Sequence, residues 1–202
     1  MNSPRTELGE SLAHQGGFTL NIGAGKNGSG DVRIDLLQDA APDIRADACN
    51  LPFRDSTFSQ VLLLDVIEHT PKKSEPKVVS EIHRVLARDG RLVLSTPNDR
   101  TWFKYLDPAY YHGHRHYTVE QIKAIIDGNF RIMLLFTAGG LIATVSNLFA
   151  MGSRYTGRIG VWQSRFSKKE YSRHSPNNGY TIFMVCLSLL NYNQAQDDHR
   201  QP

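Results

Sequence analysis

Apolar residues fall in short runs along this chain, and two stretches of helical periodicity separate them. Phe18 to Ile22 is apolar and closes on glycine, which predicts a first strand. In DVRIDLL, Val32, Ile34 and Leu36 alternate with polar neighbours and predict a second. Asp43 to Ala48 (DIRADA) supports a third, marginal strand. Gln60 to Val66 (QVLLLDV) is almost wholly apolar, the pattern of a central parallel strand covered on both faces. Val78, Val79, Ile82, Val85 and Leu86 then recur at helical spacing. Ser74 stands at the N-cap of that helix, Pro76 in its first turn and Asp89-Gly90 at its stop. Arg91 to Thr96 (RLVLST), halted by Pro97, predicts a fifth strand. TVEQIKAIIDG predicts a second helix, with Thr118 and Gln121 placed for a capping box and Gly128 for the C-terminal cap. FRIMLLF and YTIFMVCLSLL complete a set of seven strands.

Strands alternating with helices predict an α/β, Rossmann-like domain. Its seven-stranded sheet is mostly parallel, has helices on both faces, and binds ligand at the carboxyl ends of its strands. One spacing is unusual. Only nine residues separate Ile22 from Val32, whereas a parallel crossover usually takes a dozen or more. At about 3.3 Å per residue such a link just returns along the strand. The first crossover helix is therefore expected to be short or absent. The expected organisation is a loose leader over 1–16, one domain over 17–190 and a solvated tail over 191–202. Met1 to Gln15 has no apolar core of signal-peptide type.

Composition adds little beyond this. Apolar residues make up 40% and charged residues 21%, as in a globular domain of this length. A net charge of +3 does not by itself argue for nucleic acid. Cys49 and Cys186 have no metal or disulfide spacing, and a reducing, cytoplasmic setting is the plain reading.

The segment LNIGAGKNGSGDVRIDL carries the chemistry. A glycine turn between two strands lets backbone approach a nucleotide-like ligand. A dinucleotide fingerprint requires a third glycine that opens a helix and an acid about 20 residues on. No helical pattern follows Gly28, and Asp35 comes only ten residues after Gly25, so the dinucleotide reading fits poorly.

Taken in order, LNIGAG, VRIDL, ADACNLPFRDSTFSQVLLLDVIEHT and EIHRVLARDGRLVLSTPN resemble the class I S-adenosylmethionine-dependent methyltransferases. The nearest subgroup is that of small, type-11-like enzymes acting on small molecules, lipids or sugars. The resemblance spans Leu20 to Phe136. It implies S-adenosylmethionine as cofactor, with Gly23, Ala24 and Gly25 under its methionine moiety. Asp35 would accept from both ribose hydroxyls, with Leu36 beside it. Asp47 would lie near the adenine amino group, with Ala48 offering a backbone amide and Leu51 and Phe53 walling the base. Asp65 would stand by the methionine end. The chain departs from the family at Asn21, where an acid is usual, and at Asn27, where a third glycine is usual.

The resemblance implies transfer of a methyl group to an O, N or C nucleophile of a small-molecule, lipid or sugar acceptor. His69, His114 and His116 are the candidate bases, because imidazole titrates near the working pH. His112, His114 and His116 alternate, but no Asp, Glu or Cys lies nearby at ligand spacing, and no metal is expected. The opposing reading is a binding module of the same fold, a partner subunit that has lost catalysis, motivated by Asn21 and the short loop.

Residues 141–174 form an insertion expected to cap the acceptor side. An apolar start is followed, over Gly152 to His174, by six Lys/Arg against one acid with aromatics interleaved. Peripheral contact with an anionic membrane is one reading, a solvated basic loop over a soluble acceptor another, and RNA the least favoured. The polar residues within 132–151 argue against a transmembrane helix there.

Overall fold

The computed structural model describes residues 3–13, 16–99, 104–105, 110, 113–141, 169–176 and 178–189. Its strands are β1 (Thr19–Ile22), β2 (Val32–Asp35), β3 (Ile44–Arg45), β4 (Phe58–Leu64), β5 (Leu86–Pro97), β6 (Phe130–Ala138) and β7 (Thr181–Ser188). They form one seven-stranded sheet in the order β3-β2-β1-β4-β5-β7-β6. All pairings are parallel except those of β7, which runs antiparallel between β5 and β6. The expected Rossmann-like α/β sheet is thus present. The short β1–β2 crossover is also present: Leu20 pairs in parallel with Val32, and no helix intervenes.

Period-2 alternation in the central strands divides the core into two layers. Leu20, Ile22, Val61, Leu63, Leu92 and Leu94 face the helices α2 (Glu75–Val85) and α3 (Val119–Ile126), which contribute Val78, Val79, Ile82, Val85, Ile122 and Ile126. Leu62, Leu64, Val93 and Val185 face the opposite side, against Leu12 and Ala13. Thr118 forms the expected capping box with Gln121 at the start of α3, and Gly128 follows its end in the left-handed region at φ 79°.

Three local expectations are corrected. The leader is not loose: Pro4–Ser11 forms a helix, α1, capped by the Ser3 side chain accepting from Thr6 N. Leu8 and Leu12 pack it against Phe136, Ala138, Tyr171 and Phe183. Gly9 allows the close approach, since a Cβ there would lie 2.7 Å from Leu64 Cδ2. With so few apolar residues, α1 has almost no periodic signal of its own. Next, α2 stops at Val85 rather than at Asp89-Gly90, because Leu86 pairs with Phe58 at the start of β5. Finally, Ser74 precedes α2 but does not cap it with its side chain, which donates instead to Pro71 O. Most of the 141–174 insertion, and the 191–202 tail, lie outside the described residues.

Candidate functional site

The carboxyl ends of β1, β2 and β4 meet around the glycine turn. Gly23 and Gly25 have φ of 66° and 56°, a region where side chains are disfavoured. Gly23 N and Ala24 N donate to Ile34 O at 2.8 and 3.1 Å, which ties the turn to β2. A Cβ on Gly23 would come within 2.4 Å of Val66 Cγ2, and one on Gly28 within 2.3 Å of Ala24 O. Asn21 is buried, and its amide donates to Ser29 O at 2.6 Å. A carboxylate could not donate that bond, so Asn21, where the resemblance led to an acid being expected, holds the short loop shut.

Asp35 ends β2 and caps the same turn. Its Oδ2 accepts from Gly25 N at 3.1 Å and its Oδ1 from Leu37 N at 2.9 Å. A carboxylate offers about four acceptor positions, so two remain for a ligand. Leu36 beside it is exposed, an apolar surface next to the turn. Asp47 accepts from Cys49 N through Oδ1 at 2.8 Å, and no described residue engages its Oδ2. Ala48 and Leu51 are buried behind it.

The loop over Leu51 to Asp55 is clamped from α2. Arg84 donates to Leu51 O, Phe53 O and Asp55 Oδ1 at 3.0, 2.8 and 2.8 Å, and it is aligned by Glu81. Glu81 in turn accepts from Leu51 N at 2.8 Å, and the Arg84 bonds hold its carboxyl below the usual range.

Asp65 follows β4 with φ 57°, a left-handed conformation that Asp tolerates better than most residues. Its Oδ1 accepts from Ser95 Oγ at 3.1 Å, and its Oδ2 lies 2.7 Å from Arg5 Nε of α1. Glu68, buried one turn on, receives a bond from Thr96 Oγ1 at 3.2 Å. Burial first, and the Asp65 charge second, push the Glu68 carboxyl up to about 8.

His69 and His114 meet edge to face, with ring centroids 4.2 Å apart. Burial and then the neighbouring His114 lower His69 from the usual histidine value, so its imidazole is neutral near pH 7. His116 is not in that pair; its ring packs between Tyr110 and Tyr180. Between them, Arg115 donates to the carbonyls of Ile67, Glu68 and Thr70 and pairs with Glu75, fixing the corner that carries Glu68 and His69. Among the described residues, no three His, Cys, Asp or Glu side chains are grouped to hold a metal ion.

Sequence reasoning named the glycine turn and the three acids but gave no role to Arg5, Glu68, Arg84 or Arg115. Each acts across the fold, on a partner 28 or more residues away. No local spacing marks such a pair.

Residues 29–94 match the model of a methyltransferase domain, of type 11. An uncharacterised protein of Methanocaldococcus jannaschii is 32% identical over 77 residues, which cover 37% of this chain and 33% of that protein. The chain thus spans about a third of the length of the curated relative it matches. Among solved structures, an S-adenosylmethionine-dependent methyltransferase from Thermotoga maritima has a TM-score of 0.65 at 12% identity, covering 93% of this chain and 90% of that one. One from Methanosarcina mazei has a TM-score of 0.57 at 15% identity, covering 90% and 97%. The [4+2]-cyclase SpnF has a TM-score of 0.62 at 15% identity, covering 92% and 80%. These likenesses show the fold alone, and the matched segment 29–94 holds Asp35, Asp47 and Asp65. Residues 29–94 are thus similar to a type-11 methyltransferase domain, and the sheet has the fold shared by solved S-adenosylmethionine-dependent methyltransferases.

Proposed function

We propose that this protein is an S-adenosylmethionine-dependent methyltransferase acting on an O, N or C nucleophile of a small-molecule, lipid or sugar acceptor. The observation that carries the reading is the pair of left-handed glycines capped by the Asp35 carboxylate at the carboxyl ends of β1 and β2. The residues present fit the cofactor. The turn is a cradle that a Cβ would fill, Asp35 keeps two acceptor positions, and Asp47 Oδ2 is open. In this reading Gly23, Ala24 and Gly25 pass under the methionine moiety and Asp35 holds the ribose diol. Leu36, Asp47 and Ala48 contact the adenine, and Asp65 lies at the methionine end.

The bound cofactor supplies an electrophilic methyl on a sulfonium, already a good leaving group. The chain's own work is alignment, exclusion of water and, for an acidic acceptor, removal of a proton. A neutral His69 suits the last task, with His114 against it to fix its ring. His116 is a weaker candidate because it sits apart, between two tyrosines.

Catalysis is preferred over the binding-module reading because all three acids are in place and Asn21 has a structural use of its own. Related folds host other chemistry, as SpnF illustrates, so the test begins with the ligand. S-adenosylmethionine or S-adenosylhomocysteine should raise the melting temperature and NAD should not, because a ligand that binds only the folded state stabilises it. A shift with NAD alone overturns the reading. Incubation of the cofactor-bound protein with fractionated lipid and metabolite extracts should then label the acceptor.

No helix among the described residues is long and apolar enough to cross a membrane. Residues 141–174 are proposed as the acceptor-side cap, with their net charge of +5 available to an anionic surface. Co-sedimentation with anionic vesicles at low salt tests that contact, and no binding there returns the segment to a cap over a soluble acceptor.

A further inference from the structure

The amino-acid end of the cofactor is a zwitterion, and the family places an acid near it where this chain has Asn21. That side chain cannot serve: its amide is committed to Ser29 O at 2.6 Å, and it carries no charge. That leaves the charges at this end of the ligand to be met by groups other than Asn21. Gly23 packs directly on Val66, so the residue just before Val66 lies next to the glycine turn. That residue is Asp65, and Arg5 is bound to it.

The pair has unused capacity. Among the described residues Arg5 is held through Nε alone, at 2.7 Å from Asp65 Oδ2, and its side chain keeps 23% of its surface open. A guanidinium presents five donors in a planar fork, so both terminal amines remain for a second carboxylate. Asp65 uses one oxygen on Ser95 Oγ and the other on Arg5, which leaves two acceptor positions. An arginine and an aspartate side by side also present the charges of an α-amino acid in reverse, so docking the two neutralises both.

Arg5 is held in place before any ligand arrives. Its helix is seated through Gly9 on Leu64, and Glu10 Oε1 accepts from Ser29 N at 2.9 Å. Ser29 is thus bound through its carbonyl by Asn21 and through its amide by α1. Asn21 and the helix that brings the arginine converge on one residue of the glycine loop.

We propose that Arg5 and Asp65 form a clamp for the zwitterionic end of S-adenosylmethionine, Arg5 receiving the carboxylate and Asp65 the ammonium. The inference rests on the methyltransferase reading above. It makes the N-terminal helix part of the cofactor site.

The test is calorimetric titration of the full chain with S-adenosylhomocysteine, its decarboxylated analogue and 5′-deoxy-5′-methylthioadenosine, which lacks the whole amino-acid end. Arg5→Gln should weaken S-adenosylhomocysteine binding roughly 10- to 100-fold, the range of one charge-assisted hydrogen bond or two. The same variant should bind the other two ligands within about twofold of wild type. Arg5→Lys, which keeps the charge but loses the fork, should fall between. An equal loss for all three ligands, or none for S-adenosylhomocysteine, overturns the clamp while leaving the functional reading intact. Failure of the wild type to bind any of the three overturns both. Should Arg5→Gln not fold, the wild type alone decides. It should prefer S-adenosylhomocysteine to the decarboxylated analogue by roughly tenfold or more, and equal affinities overturn the clamp.

Discussion

Replacing Glu68 with glutamine should flatten the pH dependence of stability between pH 4.5 and 8. Glu68 is 4% exposed, bonded by Thr96 Oγ1 at 3.2 Å and close to the Asp65 charge. Burial and then Asp65 raise its pKa from an ordinary 4.5 to about 8. Raised in this way, the Glu68 carboxyl keeps its proton at neutral pH. An acid raised in the folded state retains a proton that the unfolded chain releases. Its contribution to stability is full below pH 4.5 and is lost as pH rises through 8. In that window the slope approaches about 1.4 kcal/mol per pH unit. Glutamine is nearly isosteric, never titrates, and can still accept from Thr96.

His69 acts in the opposite sense, since its lowered pKa makes the folded state shed a proton and lose stability as pH falls below 6.5. It is present in both proteins and cancels in their difference. Urea unfolding followed by far-ultraviolet circular dichroism should show Glu68→Gln gaining on wild type steadily as pH rises from 5 to 8. Curves that stay parallel across the window would refute the buried, protonated Glu68.

Asp35→Ala should lower S-adenosylhomocysteine affinity roughly 10- to 150-fold, from the loss of charge-assisted hydrogen bonds of about 1.5–3 kcal/mol; unchanged affinity by calorimetry would place the ribose elsewhere. Gly23→Ala forces a side chain to φ 66° and against Val66 Cγ2. The left-handed backbone alone costs about 1–2 kcal/mol, so a scan should show a melting temperature lower by several degrees, with cofactor binding weakened as well. Arg84→Met removes the bonds that hold Leu51 and Phe53. It should weaken cofactor binding severalfold without touching the ligand, and a dissociation constant equal to wild type would show that the loop keeps its shape unaided.

The elements legible in the sequence were those whose own residues repeat the period of their environment. QVLLLDV is apolar throughout because β4 is covered on both faces. The α2 and α3 periodicities are visible because each helix presents one stripe to the sheet. The Thr118–Gln121 box closes within one turn, so chain spacing alone predicts it. The β1–β2 crossover was legible as well, since nine residues leave no length for a regular helix. At the site, the glycine turn and Asp35 could be read because ten residues of chain join Gly25 to the carboxylate that caps it.

What escaped depends on groups that meet only when the sheet is complete. Helix α1 has few apolar residues, and its stability comes from docking on Leu64 and Phe183, so its sequence resembles a loose leader. The end of α2 was set by the pairing of Leu86 with Phe58, which overrode the Asp-Gly stop. His114 and His116 looked equivalent by spacing, yet one packs on His69 and the other between Tyr110 and Tyr180. The sequence by itself determined which backbone turns and acids stand at the strand ends, because those depend on local conformation and on periods of two and 3.6 residues. Only the tertiary structure decided their charge state and partners. Burial and opposite charge act through space, and they bring Arg5 to Asp65 and Thr96 to Glu68 across 60 and 28 residues of chain.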